Sequence, residues 1–292
     1  MTAVLVDSLI ILRKQDLDQV GAERAMKDKA GFDLLSEDKL KSVIKTELFA
    51  KKIYSFWSIG STNEFAHNRA IQGEPEGTLV IAEQQVRGRG RKNRRWESPF
   101  NKGLWFSVVL RPNIVSDQVG LIPFLAGVAV AEGIENFTGL KPEVKWPNDL
   151  LLNGKKICGI LSEAEFQNGK IRFIILGIGI NVHHKPHEFP EEFRDRATSL
   201  RAESNLRIDR SELLAEILLQ LEKNYQTMQH QGFAPIISNW KKRCPHLGKQ
   251  VTIIQDDERL EGIFEDLNEQ GCLMLRTRDG ELKKIVTGDL LF

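Results

Sequence analysis

Between Gln85 and Trp96 the chain reads Gln-Val-Arg-Gly-Arg-Gly-Arg-Lys-Asn-Arg-Arg-Trp. Arg87, Arg89, Arg91, Lys92, Arg94 and Arg95 put six positive charges into nine residues. Guanidinium forks and backbone N–H groups are donors that suit phosphate or carboxylate. Gly88 and Gly90 allow positive φ and a close approach of backbone to ligand. Like charges at this density repel, so the segment is expected to be mobile when empty and to order around an anion. Composition alone also fits a solvated, Arg-rich surface loop. Apolar strand patterns on both sides favour a loop mounted on a folded domain.

Further residues could act with this loop. Ser61-Thr62-Asn63 lies between a strand pattern and a helical one, so it reads first as an N-cap. The same hydroxyls and amide could also bind a neutral polar ligand at the helix start. Lys145-Trp146-Pro147-Asn148-Asp149 sets a cation, an amide and a carboxylate around a proline. Its ordinary meaning is a turn; its functional one is Mg2+ ligation at the edge of a phosphate site. Lys156, at the start of a strand pattern, is either an exposed edge lysine or a point charge for an anion. Gly177 and Gly179 stand two apart in an apolar run closed by Asn181, which predicts a flat patch where something packs on backbone. His183, His184 and His187 match no zinc spacing and have no cysteine nearby, so no metal is expected there.

These groups need elements to hold them. Alternation over 51–57 and apolar runs at 78–84, 104–110 and 173–181 predict strands, with a helix from Glu64 to about Ile71 after the first. Ser116 is expected to cap a helix to about Phe137 that Pro123 restarts or kinks. Asn153-Gly154 is a hairpin signal joining 150–152 to 156–163. Asp209 and Glu212 resemble a capping box, opening a helix with Leu213, Leu214, Ile217, Leu218, Leu221 and Tyr225 at core spacing. A second helix carries Ile236, Ile237 and Trp240. Beyond Pro245, short strands at 250–255, 260–266, 272–276 and 282–286 predict a small β-barrel of SH3-like size, with a turn at Asp279-Gly280. Residues 1–50 read as helical and mixed in charge, with Ser36 opening one helix. They show no recognition helix for DNA.

At 292 residues, 41% apolar and 28% charged, the chain has room for a sizeable core and an ordinary surface. A net charge of +1 makes the Arg-rich loop a local feature and argues against non-specific nucleic-acid binding. Cys158, Cys244 and Cys272 are odd in number and far apart, which argues for a reducing cytoplasm and no disulfide framework. No signal peptide is visible, and no apolar window long enough for a membrane span is expected.

Taken together, Ser61-Thr-Asn, Gln85 with Gly88-Arg-Gly-Arg-Lys-Asn-Arg-Arg-Trp96, Lys145-Trp-Pro-Asn-Asp149, Lys156-Ile-Cys-Gly-Ile-Leu161 and Gly177-Ile-Gly-Ile-Asn181 resemble the biotin–protein ligases. The motifs occur in that family's order, and the resemblance runs from about residue 34 to the C-terminus. It implies an α+β fold. A mixed sheet flanked by helices, of class II synthetase type, would form the catalytic domain over 51–245. A small SH3-like barrel would follow over 246–292, with 1–50 left as a helical segment of no assigned role.

The resemblance also implies a reaction. Biotin and ATP, with Mg2+, would give biotinyl-5′-AMP, and a lysine of a biotin carboxyl carrier domain would take the biotinyl group. Lys156 and Arg91 are then the expected catalytic residues. Biotin would be held by Ser61, Thr62, Asn63, Gln85, Gly88, Arg89, Gly90, Arg91, Lys156 and Gly159. ATP or the adenylate would meet Arg91, Lys92, Arg94, Trp96, Lys145, Asn148 and Asn181, with Asp149 as a Mg2+ ligand. Both reactants of the first step are anions, so a cationic field suits the chemistry independently.

Two departures stand out. Asn93 occupies a position where some family members have glycine, and Asn tolerates the left-handed region better than other residues. The N-terminal DNA-binding domain of bifunctional members is not recognisable, so a ligase without specific DNA binding is expected. It would be cytoplasmic and off the membrane, and the resemblance allows a homodimer. A lipoate–protein ligase shares the fold and the adenylate chemistry but lacks the Gly-Arg-Gly-Arg run. A biotin-responsive repressor is the alternative from another class.

Overall fold

Apolar runs with few charges fix the middle of the molecule. The computed structural model describes residues 33–204, 206–255 and 258–292, so the helical expectation for residues 1–32 lies outside the described residues. The strands of the first sheet are β1 (Ile53–Ile59), β2 (Leu79–Gln85), β3 (Gly103–Leu110), β4 (Glu143–Lys145), β5 (Asp149–Leu152), β6 (Lys155–Gln167) and β7 (Lys170–Asn181). They lie in the order β1-β2-β3-β7-β6-β5-β4, with β1 and β2 parallel and the other neighbours antiparallel. Every residue of β3 is buried, as expected of a strand covered on both faces.

The helices are α1 (Glu37–Val43), α2 (Thr62–Ile71), α3 (Ile122–Thr138), α4 (Leu200–Ser204), α5 (Arg210–Gln231) and α6 (Ala234–Arg243). Side chains alternate across the sheet, and each set finds its own cover. α2 connects the parallel pair and packs Ala66 and Ala70 against Val80, Val109, Phe173 and Ile175. Leu79, Ile81, Phe106, Val108, Leu176 and Ile178 join the main core with α3 and α5. Ser36 caps α1 by accepting from Lys39 N, and Asp209 caps α5 by accepting from Ser211 N and Glu212 N.

Two expectations are corrected here. A 3-10 segment over Ser116–Leu121 precedes α3, so Leu121 rather than Ser116 stands at its cap, with Pro123 in the first turn. The stretch Ser116–Thr138 is also long and apolar enough to cross a membrane by length and composition. Its most apolar window is 67% buried, and the apolarity is that of a core helix.

The end of β2, from which the Arg-rich loop departs, is anchored by buried charge. Arg210 is fully buried and puts Nε 3.0 Å from Asp33 Oδ1 and Nη1 2.8 Å from Glu83 Oε2. Leu35 N donates to the other Glu83 oxygen at 2.7 Å. Removing one partner from such a cluster strands a buried charge, at a cost of about 3–5 kcal/mol.

A second sheet is built from β8 (Gln250–Gln255), β9 (Glu258–Leu267), β10 (Leu273–Thr277), β11 (Leu282–Ile285) and β12 (Asp289–Leu291). It is antiparallel throughout, in the order β11-β10-β9-β8-β12, and forms the small SH3-like unit. β12 escaped sequence reading because three residues are too few to show alternation. Buried Trp146 ties the two sheets together, donating Nε1–H to Gly271 O at 3.1 Å.

Candidate functional site

Ser61 stands at the cap position of α2 with extended backbone, yet its hydroxyl makes no capping bond, and the residue is 4% exposed. Capping therefore does not account for this serine. Thr62 instead directs both its N–H and its hydroxyl toward Gln85 Oε1, at 2.8 and 3.0 Å. Because the Thr62 N–H can only donate, it fixes the sense of the Gln85 amide, and Gln85 Nε2 donates to Ser98 Oγ at 2.9 Å. Ser107, buried on β3, lies 2.8 Å from Thr62 Oγ1 and 2.6 Å from Asn63 Oδ1. Asn63 Nδ2 donates to Glu163 Oε2 at 2.7 Å. The result is one continuous polar network at the N-terminus of α2, neutral until it reaches Glu163.

The floor beneath it is backbone. Gly159 on β6 is paired with Gly179 on β7, and Gly177 faces the same way as Gly179. A Cβ on Gly177 would collide with the Asn63 amide, and one on Gly179 with the Trp96 indole. A Cβ on Gly159 would stand 3.0 Å from the same indole. The predicted flat patch thus carries Asn63 at one end and Trp96 at the other. Trp96 Nε1 is buried without a hydrogen-bond partner.

Beyond Trp96 the charges gather. Lys156 Nζ lies 5.2 Å from the centre of the Trp96 ring and 2.7 Å from Asp149 Oδ1. Lys145 shares the neighbourhood of Asp149 and Lys156, with Nζ 5.1 Å from the Phe292 ring centre. Burial pushes the Lys145 pKa below the ordinary lysine value, with Asp149 opposing and Lys156 adding to the shift. Arg91 donates Nη1–H to Asn148 Oδ1 at 3.0 Å and Nη2–H to Thr287 Oγ1 at 2.9 Å. Its pKa is also lowered, by burial first.

The loop itself differs from its sequence description. Neither Gly88 nor Gly90 has positive φ; Lys92 (φ 54°) and Asn93 (φ 57°) take the left-handed conformation and turn the loop, Asn93 as its tolerance of that region allowed. Gly88 is required for a different reason, since a Cβ there would meet the Trp96 carbonyl oxygen. The crowded cations also have protein carboxylates beside them. Arg89 reaches Glu163 at 3.1 Å, Arg95 reaches Glu97 at 2.9 Å, and Arg87 lies 3.7 Å from Glu64. Arg94 makes a two-pronged pair with Asp289, and Lys92 lies 3.8 Å from the same carboxylate. Mutual repulsion is therefore not the whole account of this loop.

Two expected site residues are already committed to neighbours. Asn181 is 6% exposed and donates Nδ2–H to Thr198 O at 3.1 Å, while Thr198 N bonds Lys156 O. Asn148 uses its amide nitrogen on Ile160 O at 2.7 Å and its oxygen on Arg91. Both keep carbonyl groups and loops in place around Lys156. Asp149 Oδ1 is buried and has the Lys156 ammonium 2.7 Å away as its partner. Sequence reading missed Ser98, Ser107, Glu163, Thr287 and Asp289. Ser98 lies just past the loop, whereas the other four sit far along the chain from their partners, and among those only Glu163 carried a local signal, as a charge in an apolar strand.

The profile described as the biotin/lipoate A/B protein ligase family matches residues 56–181, and that of the biotin protein ligase C terminal domain matches 246–292. The chain is 38% identical over 256 residues to the bifunctional ligase/repressor BirA of Bacillus subtilis, covering 88% of this chain and 78% of that one. A biotin–[acetyl-CoA-carboxylase] ligase of Mycobacterium tuberculosis is 31% identical over 239 residues, covering 80% and 85%. Among solved structures, the biotin protein ligase of Aquifex aeolicus in complex with biotin and ATP superposes with a TM-score of 0.72 at 30% identity. That match covers 82% of this chain and 98% of the other.

Proposed function

The chain belongs to the biotin/lipoate A/B protein ligase family and is an ATP-dependent biotin–protein ligase, and from that premise we propose how its residues divide the work. The supporting observation is the order of groups along the glycine floor. A neutral hydrogen-bonding network sits over Gly177, Trp96 over Gly179, and Lys156 beyond it. Biotin has the same order, with a neutral ureido ring at one end and a carboxylate at the other.

In this reading Ser61, Thr62, Asn63 and Gln85 meet the ureido N–H and carbonyl groups. The backbone of Gly88, Gly90 and Gly159 with Arg89 closes the pocket around the rest of the molecule. The carboxylate lies toward Lys156 and Arg91, where a carboxylate oxygen attacks the α-phosphorus of ATP. The bond to pyrophosphate breaks, and pyrophosphate leaves with its electron pair. Lys156 and Arg91 offset the repulsion of two anions and the charge that grows on the phosphorus oxygens. Lys92, Arg94 and Lys145 face the phosphates; Trp96 covers the adenylate and excludes water from the mixed anhydride. Asn148 and Asn181 steady this end of the site. In the second step a carrier lysine amine attacks the acyl carbon, and AMP leaves.

Asp149 would be the protein's ligand for a Mg2+ carried by ATP, which would neutralise charge on the phosphates. The Asp149 Oδ1 is paired with Lys156 Nζ at 2.7 Å, which leaves Oδ2 for that use. The acceptor is assigned to a biotin carboxyl carrier domain, in keeping with relatives named for acetyl-CoA carboxylase. Residues 51–245 form the catalytic unit in this proposal and 246–292 the barrel. A cytoplasmic location accords with three buried free cysteines. Lipoate is the competing substrate. ATP–pyrophosphate exchange with each acid decides between them, and exchange supported by lipoate but not biotin would overturn the assignment. A carrier domain incubated with enzyme, biotin and ATP should gain the mass of one biotinyl group.

A further inference from the structure

We propose that Glu163 is a positioning residue that fixes the Asn63 amide and tethers Arg89 to it, joining ureido recognition to closure of the Arg-rich loop; this rests on the biotin reading above. One oxygen serves both partners. Glu163 Oε2 accepts from Asn63 Nδ2 at 2.7 Å and from Arg89 Nη2 at 3.1 Å. The two donors come from different elements, the first turn of α2 and the loop after β2.

The coupling matters because an amide has two ends. An ionised carboxylate offers no proton, so Asn63 must turn its NH2 to Glu163 and its oxygen to Ser107, 2.6 Å away. That oxygen keeps one lone pair beyond the Ser107 contact, which is the acceptor a ureido N–H requires. The amide has no room to move sideways, since it lies against Gly177 where even a Cβ would not fit. With Arg89 held by the same carboxylate, the loop descends on the side where α2 begins.

Glu165 supplies the contrast. It stands two residues on along the same face of β6, with His67 Nε2 3.4 Å from Oε2, one helical turn beyond Asn63. Both glutamates fasten α2 to β6, but the Glu165 pair lies away from the Arg-rich loop. Fastening alone is therefore shared by both, whereas the coupling belongs to Glu163.

Glu163→Gln tests this directly, because its new NH2 can donate to Asn63 Oδ1 and let the amide reverse. Biotin affinity, measured by titration calorimetry without ATP, is expected to fall about tenfold or more, as for loss of a charge-assisted hydrogen bond. The melting temperature should stay near wild type while tryptic cleavage at the loop arginines rises, because the Arg89 tether is weakened, and Glu165→Gln should keep wild-type biotin affinity and cleavage. In an Asn63→Ala background, Glu163→Gln should cost less than it does in the wild type, the non-additivity expected of coupled groups, with the Arg89 share remaining. Unchanged biotin affinity in Glu163→Gln, or full additivity with Asn63→Ala, would overturn the proposal. So would an equal loss of biotin affinity in Glu165→Gln, or a biotin loss matched by a large fall in melting temperature, since either marks a purely structural role. A wild-type chain that makes no biotinyl-5′-AMP would instead overturn the functional reading beneath it.

Discussion

Lys156 Nζ lies 2.7 Å from Asp149 Oδ1 across the β5–β6 hairpin, so the cation assigned to the reacting carboxylate is held by a carboxylate of the protein. A lysine poised in this way is oriented before substrate arrives. In the first half-reaction both biotin and the α-phosphate carry negative charge at the moment of attack. Once the adenylate exists the carboxylate charge is gone, and less is asked of the lysine. Lys156→Ala should therefore slow adenylate formation by about 10²-fold or more. Transfer from supplied biotinyl-5′-AMP to a carrier lysine should slow less. Single-turnover rates for each half-reaction check this; equal losses in both steps would assign Lys156 a different role.

The two floor glycines should fail in different ways. Gly177→Ala drives a methyl into the Asn63 amide, whereas Gly179→Ala drives one into Trp96. The first is expected to raise the KM for biotin with ATP binding little changed. The second should raise the KM for ATP and speed hydrolysis of bound adenylate, because Trp96 no longer covers it. Steady-state kinetics with each substrate varied, and adenylate hydrolysis followed by AMP release, separate the two. The same defect from both variants would contradict the division of the floor.

Asp289 on β12 holds Arg94 and Lys92, so the loop is clasped by the C-terminal sheet as well as by Glu163. The pair is exposed, and exposed ion pairs contribute only about 0–1 kcal/mol each. Asp289→Ala should leave the melting temperature within a few degrees but increase tryptic cleavage at the loop arginines of the empty enzyme. Biotin with ATP should restore protection, since phosphates replace the lost carboxylate. Cleavage that is unchanged in the variant would mean that the clasp does not restrain the loop.

What sequence revealed here was local. The Asn153-Gly154 turn has φ of 50° and 74°, as a hairpin of that type requires, and the apolar runs became the buried strands. The flatness near Gly177 and Gly179 followed from their spacing alone. Partners were not legible. Ser107, Glu163 and Asp289 meet Asn63, Arg89 and Arg94 only because strands distant in sequence are brought together. In the loop the left-handed conformation falls at Asn93, whose tolerance of that region was legible, and at Lys92, which carried no such signal, rather than at Gly88 or Gly90.

His184 links the site to pH. It is 4% exposed, lies stacked on Phe189, and stands edge-on to Trp105, whose other neighbour is Trp96. Burial first, and then the Lys102 charge, push its pKa down to about 4. His246 is likewise pushed down to about 4, by burial and then by Lys145 and Lys249. In the unfolded chain both should titrate near 6.5. Between about pH 4 and pH 6.5, then, the unfolded state holds protons that the folded state refuses, and stability must fall as pH falls. The loss should reach roughly 3 kcal/mol for each histidine at the acid end of that window, and level off below it. Asp33 and Asp289 are held below the ordinary aspartate value by their cationic partners, despite burial, so their contributions are lost at still lower pH. Urea unfolding at pH 7.0, 5.5 and 4.5 measures the slope, with those pH values chosen to bracket the window. His184→Gln should flatten it by about half of the histidine contribution, leaving the His246 part. A slope identical to wild type would mean that His184 takes up its proton in the folded protein.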